Sequence, residues 1–592
     1  MKGYGLSVFA GTEPQRFDVE VLGVIHNQTP ELSYILTRLS GQDLERSGVA
    51  GGMSGSPIYF DDRLAGALAY GYMFGLDAIA GITPIAGMRK LHDLPGTPIA
   101  EAPSIDAAVG FEPPTFEALV RGDWLLSEDG TTSAERLNRA LTLLAPPTIG
   151  RPQGAQPTWT WNAGGFGPRT LSLLEGSLGR LAPALSDGGG AGATDTGTID
   201  AVTTGTVTTD TVALQAATEA LGGGSAVSVV LVEGDLTLAS HGTITERQGD
   251  QIIAFGHPMF SLGPVALPLA TSEVVTVVAS RANAFKVSNA GPVIGVLEQD
   301  REAGVRGRIG GPPAPQTALQ VRLRGLVDRD YSMRVTGQQI LRPLMLTLST
   351  LGALDAGSTS GGYQGIDLDL RFELGGMDDL VIRQSFDGGS AGTDAALALL
   401  SFAAFLEFNA WQALDLRSVD ITLTQVDHPR VATLVSAHAT RQEVRPGDTV
   451  SVVLELDPYR GERFRRTVEV EIPEQVSEGR YYVILGDGTS MDAVELEVEK
   501  RRPETLAQAM DSLRSLRSRK HLVIDGLVAR RGVALRGDSM PGLPASVRSI
   551  FGASGRPEAV PLGLAIVHRQ TLELDDPIDG AARIDLTVRR RP

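Results

Sequence analysis

Gly51-Gly52-Met53-Ser54-Gly55-Ser56-Pro57 sets a serine among three glycines, between two apolar stretches that read as strands. Glycine adopts positive φ without steric penalty, so the backbone on either side of Ser54 can turn tightly and converge two N–H groups near its hydroxyl. That is the local requirement for an acyl-transfer nucleophile. Gly-Ser clusters between strands are also ordinary turns, so the heptapeptide needs support from its surroundings.

Pro57-Ile58-Tyr59-Phe60 reads as a short strand, Asp61-Asp62 as a turn, and Leu64 to Gly71 as a second strand of small and apolar residues. Nucleophile turn, hairpin and glycine-ended edge in this order resemble the serine half of chymotrypsin-like peptidases. The resemblance implies that Gly52 and Ser54 supply the oxyanion-hole N–H groups. It also implies that Ala69, Tyr70 and Gly71 accept an extended substrate by strand addition.

Further outward, Gly3-Tyr4-Gly5-Leu6-Ser7-Val8-Phe9, Gly11-Thr12-Glu13-Pro14, Val19 to Val24, the Gly-Met-Ser-Gly-Ser-Pro run and Ala80-Gly81-Ile82-Thr83-Pro84-Ile85 resemble the SpoIVB-type serine peptidases. That family is named for sporulation stage IV protein B. The resemblance covers residues 1 to about 90 and a second block at 226 to 311. Met53 stands where trypsin-type chains commonly carry an Asp that holds a newly cut N-terminus, so that activation switch is expected to be missing.

A serine hydroxyl needs a base. Of eight histidines, His257 is favoured: it follows the strand Gln251 to Phe255, is flanked by Gly256 and Pro258, and is similar to the family's Gly-His block. His241, in the preceding strand, is the competitor, with a structural role expected. Asp300, 43 residues after His257, is the expected third member, at a separation like that in chymotrypsin-like chains. Asp43, 11 residues before Ser54, is the alternative acid, and a Ser-His dyad stays open. Ser54 precedes His257 by about 200 residues, the reverse of the sporulation peptidase, so the serine half would be encoded first.

Composition narrows the function classes. The 592 residues are 42% apolar and 21% charged, with 70 glycines, too long a chain for one core and biased toward turns and β structure. A net charge of −18 argues against nucleic acid or an anionic membrane as main partner, and only 5% of residues are aromatic. The charge is uneven: residues 501–592 hold 16 Lys and Arg against 10 Asp and Glu. Without cysteine there is no thiol nucleophile, disulfide or thiolate metal site. No His-Glu-x-x-His, Walker loop or dinucleotide fingerprint occurs, and no cofactor or metal is implied. The longest apolar run, Ala395 to Leu406, is 12 residues, short of a bilayer span. Relatives with the Gly-Tyr-Gly-Leu opening usually carry residues before it, so an export signal lost ahead of Met1 and an exported or envelope location are expected.

Taken in order, the chain divides into a Ser-bearing half-barrel (1–95), a mixed connecting region (96–185), a Gly/Thr-rich linker (186–225), a His-bearing half-barrel (226–345), an α+β accessory region (346–428), a β-sandwich (429–500) and a basic C-terminal module (501–592). A helix is expected at Ala134 to Leu144 with Ser133 as N-cap, and Trp159-Thr160-Trp161 reads as a packed strand without a functional role. The fold class is mainly β: a trypsin-like double β-barrel, Ser half first, with a C-terminal β-sandwich and small α/β accessory regions. The expected activity is a serine endopeptidase acting on protein or peptide segments, its own chain included. The rival is a catalytically silent cell-envelope scaffold that uses the same barrels for edge-strand recognition.

Overall fold

The computed structural model describes residues 1–26, 33–72, 75–96, 114–123, 131–144, 155–178, 185–188, 211–280, 284–357, 363–535, 538–553 and 559–590. The chain is mainly β and forms two compact units. One takes residues 1–112, 138–319 and 331–356, and the other 113–137, 320–330 and 357–592.

The first unit opens with β1 (Lys2–Ser7), β2 (Gln15–Ile25), β3 (Tyr34–Ser40), β4 (Pro57–Phe60), β5 (Arg63–Tyr72) and β6 (Ile79–Pro84). Period-2 alternation fixes their faces: along β2, Phe17 and Val19 are buried while Arg16, Asp18 and Leu22 face solvent. The strands pair in the order β4-β1-β2-β3-β6-β5, and β4 also pairs with β5, so the six form a ring. Phe17, Leu39, Ile58, Leu68 and Ile82 meet in its core, joined by Met53 from the serine turn.

After β7 (Ala155–Pro157), β8 (Thr160–Gly164) and β9 (Leu185–Gly188) come β10 (Ala226–Gly234), β11 (Thr237–Gln248), β12 (Gln251–Ala254), β13 (Gly263–Val278), β14 (Phe285–Arg301) and β15 (Gly304–Ile309). These last six run β10-β13-β14-β15-β12-β11 and close through a β10–β11 pairing into a six-stranded barrel. β10 is apolar on both faces, as suits a strand covered on both sides: Val227 to Val232 are all buried. Outside the barrel, β8 pairs with β11 and β9 with β8. β7 joins the first ring instead, on the edge of β5. Of the expected Gly/Thr-rich linker, residues 189–210 lie outside the described residues; beyond them a helix covers Thr211–Ala220.

In the second unit the strands Gln364–Leu374, Leu380–Gly388 and Leu416–Val426 lie antiparallel, and the helix Ala391–Phe408 packs on the first two. This helix is longer than the 12-residue apolar run. Its 18 residues have a mean hydropathy of 1.4, enough by length and composition to cross a membrane, but 72% of it is buried in the fold. A capping box of Thr132 and Glu135 opens the helix Ser133–Leu144, one residue ahead of the expected Ser133 cap.

Two further sheets share one core: Val450, Val452, Leu454 and Leu456 from one, with Tyr481, Val483, Leu485, Ile584 and Leu586 from the other. Gly479–Asp487 pairs with both His521–Leu535 and Ala581–Val588. Residues 429–500 and 501–592, separated by charge in the sequence, therefore build a single sandwich. Charge composition reports the surface, whereas strand pairing is set by backbone register and buried alternation.

Candidate active site

The serine turn is stitched at nearly every peptide unit. Gly51 N–H donates to the Ala284 carbonyl at 2.8 Å, Gly55 N–H to Leu68 at 2.7 Å, and the Ser54 carbonyl accepts from Thr243 N–H at 2.7 Å. Two of its glycines are required by geometry. Gly52 and Gly55 both hold φ +91, and a Cβ on Gly55 would lie 1.9 Å from the Thr243 carbonyl oxygen. The turn is thereby pressed against β11.

Ser54 is fully buried, and its Oγ has no hydrogen-bond partner among the described residues. The Gly52 and Ser54 N–H groups, the expected oxyanion donors, converge on one oxygen: both donate to the Thr158 carbonyl, at 2.6 and 3.0 Å. Ala69, Tyr70 and Gly71, the expected substrate edge, are buried and already paired. β7 lies antiparallel on that edge with Pro157 opposite Tyr70 and Gln156 opposite Gly71, and Thr158 N–H donates to the Ala69 carbonyl at 3.1 Å.

His257 is delivered from the end of β12 through two positive-φ residues, Phe255 (φ 69) and Gly256 (φ 71). It is fully buried, its ring 5.5 Å from that of Trp159 and 5.9 Å from that of Tyr70. Nδ1 lies 2.8 Å from the Pro258 carbonyl. Only a donor can bond a carbonyl there, so Nδ1 carries a proton, and in the neutral ring the lone pair is on Nε2. Ser54 and His257 thus meet the same short stretch, Thr158-Trp159, one at the carbonyl and the other at the following ring. Their side chains are not hydrogen-bonded to each other.

Asp300 is brought close to His257 in sequence terms, yet it does not hold the imidazole. Its carboxylate accepts from the backbone N–H groups of Met259 at 2.7 Å, Phe260 at 2.6 Å and Leu262 at 3.3 Å, fixing the loop that follows the histidine. Burial pushes its pKa up to about 6, and these N–H bonds pull the other way. Spacing along the chain found the right neighbourhood but not the partner, since side-chain direction depends on how β14 pairs. Asp43 sits at the surface in an ion pair with Arg46 at 2.7 Å and takes no part in the site. His241 is buried with Nδ1 between Ser228 Oγ at 2.8 Å and Ser272 Oγ at 2.9 Å, and burial, then the neighbouring Lys286, pulls it down to about 3.

Sequence reasoning missed two features. One is Thr158, whose signal was a Pro-ended short strand just before a tryptophan pair. The other is Lys286, buried in β14 behind Gly52 and donating to Ser7 Oγ at 2.8 Å. Burial draws that ammonium down to about 7. A lone lysine in an apolar, alternating strand was its trace. A separate cavity of about 490 Å³ is lined by Thr12, Pro14, Leu221 and Pro292 and includes none of the expected site residues.

No protein-family model, curated protein or solved structure matches the chain. The resemblance to SpoIVB-type peptidases therefore rests on the quoted motifs.

Proposed function

We propose that this chain is a serine endopeptidase built on a trypsin-like pair of six-stranded barrels, the serine half encoded first. The observation that carries the reading is the Gly52 and Ser54 N–H pair aimed at one peptide carbonyl, whose strand lies antiparallel on the Ala69-Tyr70-Gly71 edge. Donors fixed on one acyl oxygen are what stabilises a tetrahedral oxyanion. In this reading Ser54 Oγ adds to the scissile carbonyl while its proton passes to His257 Nε2. The C–N bond then breaks, the proton goes to the departing amine, and water repeats the sequence on the ester to restore Ser54. The Pro258 carbonyl holds the imidazole tautomer, and Asp300 is a positioning residue for the 258–262 loop. Substrates are extended protein or peptide segments, and the resemblance makes an exported or envelope setting part of the proposal.

One observation favours the rival, a silent edge-strand scaffold: Ser54 is fully buried and its acceptor edge is occupied. A fluorophosphonate probe separates the two. Labelling that disappears in Ser54→Ala supports the peptidase. No labelling of either the wild type or the Thr158→Pro variant described below leaves the scaffold.

A further inference from the structure

Residues 155–159 lie along β5 and the serine turn in the manner of a peptide substrate. On the N-terminal side, Ala155, Gln156 and Pro157 pair antiparallel with Tyr72, Gly71 and Tyr70. Thr158 closes this run with two bonds to the Ala69 carbonyl, from its N–H at 3.1 Å and its Oγ1 at 3.2 Å. Its own carbonyl receives the Gly52 and Ser54 N–H groups. On the C-terminal side Trp159 is 1% exposed against His257, Trp161 and Phe260, and Thr160 continues into β8, paired with His241 of β11.

Building on the peptidase reading, we infer that this segment is the resident occupant of the site, an internal inhibitory strand presenting Thr158-Trp159 to Ser54. Anchorage on both sides of that bond explains why occupancy blocks rather than feeds the site. Were Ser54 to open the bond, the Trp159 amine would stay beside the ester, held by β8, and could reform the peptide. A tethered competitor also acts at an effective concentration in the millimolar range, so a free peptide of ordinary affinity does not displace it. Entry of another substrate requires β7 to lift from β5. The edge beneath, Ala69 to Tyr72, then becomes the acceptor for the incoming strand, and a small or β-branched residue like Thr158 is the side chain the position beside Ser54 accommodates.

The test compares fluorophosphonate labelling rates of full-length wild type and Thr158→Pro, which removes both bonds to Ala69. Loss of two neutral hydrogen bonds corresponds to at least about a fivefold faster labelling. Equal rates in a folded variant overturn the inference and leave the peptidase reading standing. Absence of labelling in both proteins refutes the peptidase reading instead. Should Thr158→Pro not fold, hydrogen exchange on the wild type decides: the Gly52 and Ser54 amides are expected to be as protected as those of β11. Exchange at the rate of an unstructured peptide would overturn occupancy.

Discussion

Acidification should unfold the first unit through His241. The imidazole is fully buried between Ser228 and Ser272 beside Lys286, and its pKa falls from 6.5 to about 3. The unfolded chain takes up this proton from pH 6.5 downward, whereas the folded form resists it until about pH 3. The stability contributed by a neutral His241 is therefore complete above pH 6.5 and is lost as pH falls through that window. At about 1.4 kcal/mol per pH unit, the loss reaches about 3 kcal/mol by pH 4 and about 4 kcal/mol by pH 3. That is comparable to the whole stability of a typical domain. Urea unfolding followed by tryptophan fluorescence reports the first unit through Trp159 and Trp161, both buried there. His241→Gln keeps an acceptor for the two serine hydroxyls but binds no proton, so its stability should fall less between pH 7 and 4, by about 3 kcal/mol. Parallel curves for the two proteins would refute a buried neutral histidine. The same variant should retain Ser54 labelling, and losing it would move the base role from His257 to His241.

Gly55→Ala puts a Cβ 1.9 Å from the Thr243 carbonyl at φ +91, and a destabilisation of more than about 3 kcal/mol is expected in thermal melts; a change under about 0.5 kcal/mol would mean the turn is not pressed on β11. Asp300→Asn turns an N–H donor toward the backbone donors of the 258–262 loop. We expect a loss of about 2 kcal/mol together with slower labelling of Ser54, and an unchanged unfolding midpoint would remove Asp300 from its positioning role. Burial lowers Lys286 from 10.5 to about 7, so the wild type should gain stability as pH rises from about 7 toward 10.5, because the unfolded chain binds the proton the folded one has released. In Lys286→Met that rise should be absent, and its persistence would assign the dependence to other groups.

Local chemistry in the sequence was enough to single out the parts of the candidate site. Glycines around Ser54 forecast a tight turn because φ +91 excludes most other residues, and a histidine after an apolar strand forecast its placement at a strand end, where the structure buries it. Alternation along 450–456 and 468–472 located buried faces of the sandwich because side chains in a strand have a period of two. None of these signals carries distance. That Asp300 grips the loop after His257 and not its ring depends on the pairing of β13 with β14, which sets where its side chain lies.

The sequence by itself determined a mainly β chain with a glycine-framed serine and a strand-ending histidine, since backbone freedom and apolar alternation are written residue by residue. Only the tertiary structure decided that six strands close through the β10–β11 pairing, that residues beyond 500 complete the sandwich, and that the Gly52 and Ser54 N–H groups meet the Thr158 carbonyl. Each of these is a contact between segments remote in the chain, where register and burial are settled by what packs opposite and not by the residues alone.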